Sequence, residues 1–150
     1  MNGDGIADVI VGATFARRTA PPPVSAGATY VIFGSPDWPS VLEMADREYD
    51  AAISGADDLD ELGDTVASGD INGDDLDDLA LRWEGDRADT MTLFLGTASG
   101  TPVEAPTQPL EGLGARRVAP GGDVNGDGFG DVLVQVGTGW EPTTAWVFLG

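Results

Sequence analysis

The amino-acid sequence predicts an all-β protein that is built from a repeated unit. Short apolar runs, rich in β-branched and aromatic side chains, are bounded by Gly, Asp and Pro, which is the pattern of buried strands. No segment carries apolar residues at the sustained spacing of an amphipathic helix. A loop motif rich in Asp, Asn and Gly occurs three times, each time directly before an apolar run. We therefore expect strands arranged in units that each begin at a loop.

The third copy of the loop motif, residues 123–131, is the most complete. Asp123, Asn125, Asp127 and Asp131 place side-chain oxygens at loop positions 1, 3, 5 and 9. Carboxylates this close together repel one another unless a cation lies among them, and Ca²⁺ is the hard cation that takes such oxygen ligands. Gly128, at position 6, allows the positive φ of a sharp turn. The spacing therefore predicts a calcium loop.

Two other copies repeat this arrangement with one change each. The second copy has Asp75 instead of glycine at position 6, and the first copy has no residue at position 1. The candidate side-chain ligands of these copies are Asp70, Asn72, Asp74 and Asp78 in the second, and Asn2, Asp4 and Asp8 in the first. A left-handed Asp costs more than a left-handed Gly, and a missing ligand costs more still. We expect the third loop to bind most tightly and the first most weakly.

The loops have two other interpretations, an acidic hairpin turn without metal and an EF-hand loop. One copy alone is equally consistent with an acidic hairpin turn, because Asn-Gly and Asp-Gly favour turns without metal. Three copies placed before strands favour the metal. An EF-hand loop needs an acidic ligand at position 12, on a following helix. Position 12 is Val11, Leu81 or Val134 here, inside a predicted strand, so the EF-hand interpretation fails.

Each loop is followed by two predicted strands, the second of which ends at a glycine. The first strands are predicted at Val9–Val11, Leu79–Trp83 and Val132–Val136, and the second at Tyr30–Gly34, Thr92–Gly96 and Trp146–Gly150. Outer strands are predicted at Ala51–Gly55 and Gln108–Glu111, and short strands at Thr65–Ala67 and Arg117–Ala119. Nearly continuous apolar runs predict strands that are buried on both faces. About four strands per unit is the number in a propeller blade.

The segments outside these strands are predicted to be connections. Phe15–Ala26, which contains Pro21–Pro23, is predicted to be a surface loop or a long hairpin turn. Trp83 and Trp146 fall in predicted strands, so we expect them in the core. Trp38 and Trp140 lie in turn-rich segments, where both a place in the core and a sugar-stacking role stay open.

The composition excludes several classes of function. The formal net charge is −19, and all seven basic residues are Arg, so we expect neither nucleic acid nor an anionic membrane surface as a partner. There is no Cys and no His, which removes disulfides, thiolate zinc sites and the Ser-His-Asp and Cys-His catalytic sets. No apolar run reaches the length of a membrane span. An enzyme contained wholly in these residues is not expected.

The repeat resembles the FG-GAP repeat, the blade unit of integrin α-chain β-propellers and of bacterial extracellular proteins. The segment from Leu62-Gly63 to Asp74 matches the family's run, with Leu-Gly in place of Phe-Gly, and Gly12-Ala13-Thr14 stands where Gly-Ala-Pro is expected. The resemblance implies blades at about 1–55, 56–112 and 113–150, the last incomplete, from a propeller of about seven blades. It also implies that the backbone carbonyls of Ile6, Leu76 and Phe129 complete the three metal sites.

The resemblance implies a function as well. We expect a calcium-binding propeller segment of a secreted or cell-surface protein, acting as a scaffold for adhesion or for binding a protein or glycan ligand. The alternative is the propeller part of an extracellular polysaccharide-active lyase or hydrolase whose catalytic residues lie outside this chain. A chain that opens inside a loop motif is expected to be a fragment, so its partners would be other blades or further copies of itself.

Overall fold

The computed structural model describes residues 1–18, 24–41, 48–83, 90–105, 114–137 and 144–150. These residues form strands and turns and contain no helix, which confirms the all-β prediction. None of them belongs to a helix that has the length and apolar character needed to span a membrane. The strands are β1 Val9–Ala13, β2 Arg17–Arg18, β3 Val24–Ser25, β4 Ala28–Ile32, β5 Ala51–Ser54, β6 Val66–Gly69, β7 Asp78–Trp83, β8 Thr90–Leu95, β9 Val103–Glu104, β10 Ala115–Gly122, β11 Asp131–Val136 and β12 Thr144–Phe148.

The strands form three main sheets, and neighbouring strands in each sheet are antiparallel. Sheet 1 has the order β1-β4-β5, sheet 2 the order β6-β7-β8-β9, and sheet 3 the order β10-β11-β12. Strands β2 and β3 pair antiparallel as a separate two-stranded sheet, within the segment predicted as a loop or hairpin turn. In the described part of the chain, only sheet 2 reaches the four strands that the sequence predicts for each unit.

Sheet 2 lies between the other two sheets. Alternate side chains of a strand point to opposite faces, so Leu79 and Leu81 share one face of β7 and Ala80 lies on the other. The face with Leu79 and Leu81 packs in a core with Val31 of sheet 1. The face with Ala80 packs in a second core with Val134 of sheet 3. Every residue of β7 is buried, as predicted for a strand covered on both faces.

The prediction of burial on both faces is wrong for parts of the outer sheets. The four residues of β12 from Thr144 to Val147 are exposed, and β1 is only partly buried. Trp83 is 8% exposed and lies in the core as expected, whereas Trp146 is 51% exposed and does not. An apolar run has the same appearance whether a neighbouring sheet covers one face or two. Only the stacking of the sheets makes the difference.

Several boundaries also differ from the prediction. The second strand of each unit begins two residues earlier than predicted and ends before its glycine, at Ile32, Leu95 and Phe148. The short strand β9 was not predicted, since it contains only Val103 and Glu104. The predicted strand at 108–111, the prolines at 21–23 and Trp140 lie outside the described residues.

Candidate functional site

The three acidic loops lie at equivalent places in the three units. Loop one (residues 2–8) leads into β1, loop two (70–78) into β7 and loop three (123–131) into β11. The predicted turn at position 6 is confirmed, because φ is +80° at Gly5, +65° at Asp75 and +97° at Gly128. A left-handed residue at this place reverses the chain within the loop, which brings the side chains of positions 1, 3 and 5 to the same side.

Loop three is organised by Asp123 at position 1. Its Oδ1 accepts the N–H groups of Gly126 at 2.6 Å and Asp127 at 3.1 Å, and its Oδ2 accepts that of Gly128 at 3.0 Å. Asn125 accepts the N–H of Asp127 at 3.1 Å and donates its Nδ2 to Asp127 Oδ2 at 2.7 Å. Asp127 Oδ1 accepts the N–H of Phe129 at 3.0 Å. The oxygens at positions 1, 3 and 5 are therefore linked through the loop's own backbone.

Loop two repeats this pattern bond for bond. Asp70 Oδ1 accepts the N–H groups of Gly73 at 2.7 Å and Asp74 at 3.0 Å, and Oδ2 accepts that of Asp75 at 2.9 Å. Asn72 Nδ2 donates to Asp74 Oδ2 at 3.1 Å, and Asp74 Oδ1 accepts the N–H of Leu76 at 2.9 Å. Substituting Asp for Gly at position 6 leaves the arrangement unchanged.

Loop one shares the part of the pattern that its residues allow. Asn2 Nδ2 donates to Asp4 Oδ2 at 2.9 Å, and Asp4 Oδ1 accepts the N–H of Ile6 at 2.8 Å. This hydrogen bond from Ile6, followed by the one from Asn2, lowers the pKa of Asp4, which is exposed. The amino group of Met1 lies 3.7 Å from Asp8 Oδ2, where it forms an ion pair that the other two loops do not have.

The carboxylate at position 9 closes each loop onto its sheet, as its buried position in loop two shows. Asp78 is fully buried. Its Oδ2 accepts the N–H groups of Ile71 at 3.0 Å and Asn72 at 3.2 Å, and its Oδ1 accepts that of Gly96 at 2.8 Å. One side chain thus joins the start of the loop to the end of β8, eighteen positions along the chain.

The same connection is present in the other two units. Asp131, which is 2% exposed, accepts the N–H of Val124 at 2.6 Å and that of Gly150 at 3.1 Å. Asp8 accepts the N–H of Gly34 at 2.9 Å. The glycine that ends the second strand and the acid that ends the loop are therefore hydrogen-bonded partners in all three units.

Close backbone approach explains why glycine occupies this place. A Cβ on Gly96 would collide with the carbonyl oxygen of Asp77, and one on Gly34 would collide with that of Ala7. A Cβ on Gly150 would lie 2.8 Å from the carbonyl oxygen of Gly130. Only a residue without a side chain can bring its N–H to the buried carboxylate here. The sequence showed these glycines as landmarks but carried no signal of their bond to position 9.

The electrostatics of loop two favour a cation. Burial is the main cause that raises the pKa of Asp78, and the nearby negative charge of Asp74 raises it further. The N–H groups of Gly96, Ile71 and Asn72 oppose this shift. Among the described residues the two ion pairs are Met1 with Asp8 and Arg82 with Asp64, so neither neutralises loop two or loop three.

Neighbouring loops contact each other directly. The backbone N–H of Gly130 in loop three donates to the carbonyl of Asp70 in loop two at 2.6 Å. The ring of Phe129, at position 7, lies so close to Gly73 of loop two that a Cβ there would collide with it. Leu76 of loop two lies against Gly3 of loop one in the same way, 2.7 Å from the place of a Cβ. In loops two and three the position-7 side chain thus packs on the position-4 glycine of the loop before it.

The hydrogen bonds of loop two show how many carboxylate acceptor sites remain for a calcium ion. In the described residues no group of three or more carboxylates is close enough to hold a metal ion by itself. A carboxylate has about four acceptor sites. The amide hydrogen bonds use three on Asp70, three on Asp78 and two on Asp74. Each side chain keeps capacity for a further partner, and carboxylate and amide oxygens are the kind of ligand that Ca²⁺ takes.

No protein-family model matches the chain, and no curated protein is significantly similar to it.

Proposed function

We propose that the chain is a calcium-stabilised segment of a β-propeller of the FG-GAP type, in which the three units are blades. The observation that supports this most strongly is the threefold repetition of one hydrogen-bond pattern. In every loop the position-5 carboxylate accepts the N–H of position 7, and the position-9 carboxylate accepts the N–H of the glycine after the second strand. Repetition in such detail indicates one role for all three loops.

The proposed role of calcium is to neutralise the carboxylates of the loops, because those of loops two and three have no cationic partner among the described residues. In loop two the side chains of Asp70, Asn72, Asp74 and Asp78 would hold the ion, together with the carbonyl of Leu76. Asp123, Asn125, Asp127, Asp131 and the carbonyl of Phe129 would do so in loop three, and Asn2, Asp4, Asp8 and the carbonyl of Ile6 in loop one. A bound Ca²⁺ would offset both the burial of Asp78 and its repulsion from Asp74.

We propose a binding role rather than a catalytic one, on the surface of a cell or outside it. A chain with no His and no Cys lacks the commonest catalytic bases and nucleophiles. Extracellular modules bind calcium at roughly 10⁻⁴ to 10⁻³ M, a range that suits a stabilising ion outside the cell. The ions would stiffen the loops, and a protein or glycan ligand would bind elsewhere on the blades.

The experiment that tests calcium binding is a thermal melt in millimolar Ca²⁺ and in chelator. We expect a higher midpoint with Ca²⁺, since an ion that binds only the folded state adds about 1.4 kcal/mol per site at about ten times Kd. The double variant Asp74→Ala with Asp127→Ala should lose most of this calcium-induced shift. The shift is compared, not the midpoint itself, because these substitutions also remove hydrogen bonds.

Glu104→Gln is the matched control, since it removes a negative charge at an exposed residue outside the loops. It should keep the full calcium-induced shift. Identical midpoints of the unaltered chain in calcium and in chelator would show that the loops are plain turns.

A further inference from the structure

We propose that a second copy of this chain docks head to tail on the outer face of sheet 3, the face turned away from sheet 2. This inference is independent of calcium binding. The outer face is defined by three adjacent side chains at its centre, Leu133, Ala145 and Val147. Leu133 and Val147 are directly opposite each other on β11 and β12, so they lie on one face. Leu133 and Ala145 also line a mainly apolar open groove of about 410 Å³, together with Ala119 and with Thr65, which precedes β6 of sheet 2.

The repeat itself indicates what covers such a face. Because Asp78 and Asp131 occupy equivalent places, Ala80 in sheet 2 is equivalent to Leu133 in sheet 3. Ala80 is fully buried, in the core that sheet 2 shares with sheet 3. Leu133 is 38% exposed and Val147 is 46% exposed. The outer face of sheet 3 is therefore the open counterpart of a face that a further sheet covers in the unit before it.

The contacts between loops independently show that a neighbouring unit could pack beside sheet 3. Gly3 in loop one lies against Leu76, and Gly73 in loop two lies against Phe129. Gly126 is the equivalent residue in loop three, and no atom of the described residues lies within 4 Å of the place of its Cβ. The position-7 side chain that would occupy this place has no counterpart within the described chain.

The complementary surface is present on the same chain, at its other end. Ile6 holds position 7 of loop one, equivalent to Leu76 and Phe129, and it is 43% exposed. Val9, the first residue of β1, is 42% exposed. Sheet 1 of a second copy can therefore take the place that sheet 3 takes against sheet 2, with its Ile6 on Gly126. The two surfaces differ, so the contact is heterologous and propagates from copy to copy.

Charge also favours this face for association. A net charge of −19 makes two copies repel each other over most of their surfaces. Arg117, one of the seven basic residues, lines the groove. Like-charge repulsion is thus weaker here, and added salt should strengthen association by screening what remains.

Sedimentation velocity at rising protein concentration, at low and at high salt, tests the proposal. The unaltered chain should associate with concentration, and more strongly at high salt. Leu133→Asp blocks the sheet 3 surface and Val9→Asp blocks the sheet 1 surface, so each variant alone should stay monomeric. An equimolar mixture of the two should form a one-to-one dimer, because each variant keeps the surface that the other has lost.

Val41→Asp is the control, since Val41 is 67% exposed and belongs to neither surface. It should associate like the unaltered chain. Ala145→Glu and Ile6→Glu form a second pair if either first variant fails to fold by circular dichroism. A chain that stays monomeric at every concentration and salt overturns the proposal, whether the groove then stays empty or takes a different partner. Val9→Asp associating alone would also overturn it, because a face-to-face contact of identical surfaces would then be present.

Discussion

At the scale of single residues, the carboxylate at position 9 has a structural role that is separate from metal binding. Asp78 has no exposed surface and accepts three backbone N–H groups, from Ile71, Asn72 and Gly96. A buried charge is costly unless it is paired or hydrogen-bonded, and here the backbone supplies the hydrogen bonds. The carboxylate of Asp78 is the acceptor of all three N–H groups, so its removal would leave them without this hydrogen bond. The loop and the end of β8 are held together by one side chain.

Asp78→Asn should lower the free energy of unfolding by about 1–3 kcal/mol, the cost of leaving buried donors unsatisfied. The amide has one acceptor oxygen, and its NH₂ group would face backbone N–H donors. The measurement is urea denaturation in chelator, so that loss of calcium cannot explain the result. Asp77→Asn is the control, because Asp77 is the exposed neighbour and should change little. Equal stability of both variants would contradict the assigned role.

The glycine that faces this carboxylate provides a second test. Gly96→Ala should destabilise the fold by about 1–3 kcal/mol, the range for overpacking a close contact, because its Cβ would collide with the Asp77 carbonyl. Gly69→Ala is the matched control: its φ is not positive, and its Cβ would lie 3.9 Å from Gly130 Cα. That control should be neutral or slightly stabilising. Thermal melts of both variants measure the difference, and an unaffected Gly96→Ala would refute the steric explanation.

At the scale of the loop element, loops two and three differ in the residue and the backbone conformation at position 6. Both loops make the same hydrogen bonds among positions 1 to 7, but position 6 has φ +65° at Asp75 and φ +97° at Gly128. A left-handed conformation costs an Asp more than a Gly. Loop one has the glycine, but none of its carboxylates accepts the amides that correspond to those bound by Asp70 and Asp123 in their loops. The three loops share one hydrogen-bond pattern, but they differ in backbone strain at position 6 and in the carboxylates that accept the loop amides.

We therefore expect calcium affinities in the order loop three, loop two, loop one. Calorimetric titration of Asp127→Ala and Asp74→Ala should show that the first substitution removes the tightest site and the second a weaker one. Asp75→Gly should reduce the difference in calcium affinity between loops two and three, because it relieves the strain of a left-handed Asp. The same substitution also removes a nearby negative charge. Loss of the tightest site in Asp74→Ala, with that site intact in Asp127→Ala, would reverse the order.

At the scale of the whole molecule, sheet 2 contributes side chains to both hydrophobic cores. One of its faces contributes Leu79, Leu81 and Phe94 to the core shared with sheet 1. Its other face contributes Ala80 and Met91 to the core shared with sheet 3. Both outer sheets therefore depend on the central one, and the three sheets should unfold together.

Leu81→Ala should lower the free energy of unfolding by about 2–5 kcal/mol, since the side chain is fully buried and its loss leaves a cavity. Leu149→Ala, at a residue that is 58% exposed, is the control and should cost far less. Urea denaturation followed by tryptophan fluorescence and by circular dichroism measures both. Coincident curves are expected, and a separate early transition of sheet 3 alone would show that the sheets are independent.

Local chemistry made much of this architecture predictable from the sequence. The left-handed turn at position 6 follows from Gly128 and Gly5, and the β7 strand follows from an apolar run bounded by acidic residues. The hydrogen bonds inside each loop join residues at most seven positions apart, so the spacing of Asp, Asn and Gly already determines them. Calcium binding and membership of the FG-GAP family stay predictions.

Tertiary structure alone decided the relations between distant residues. The bond from Gly96 to Asp78 spans eighteen positions, and it exists because β7 and β8 pair in a register that brings the glycine to the acid. The sequence also could not predict that Trp146 and Leu133 are exposed, since their apolar runs resemble those of buried strands. Composition determines which segments become strands. Which face of a strand is buried depends on whether another sheet packs there, and that is a property of the assembled sheets.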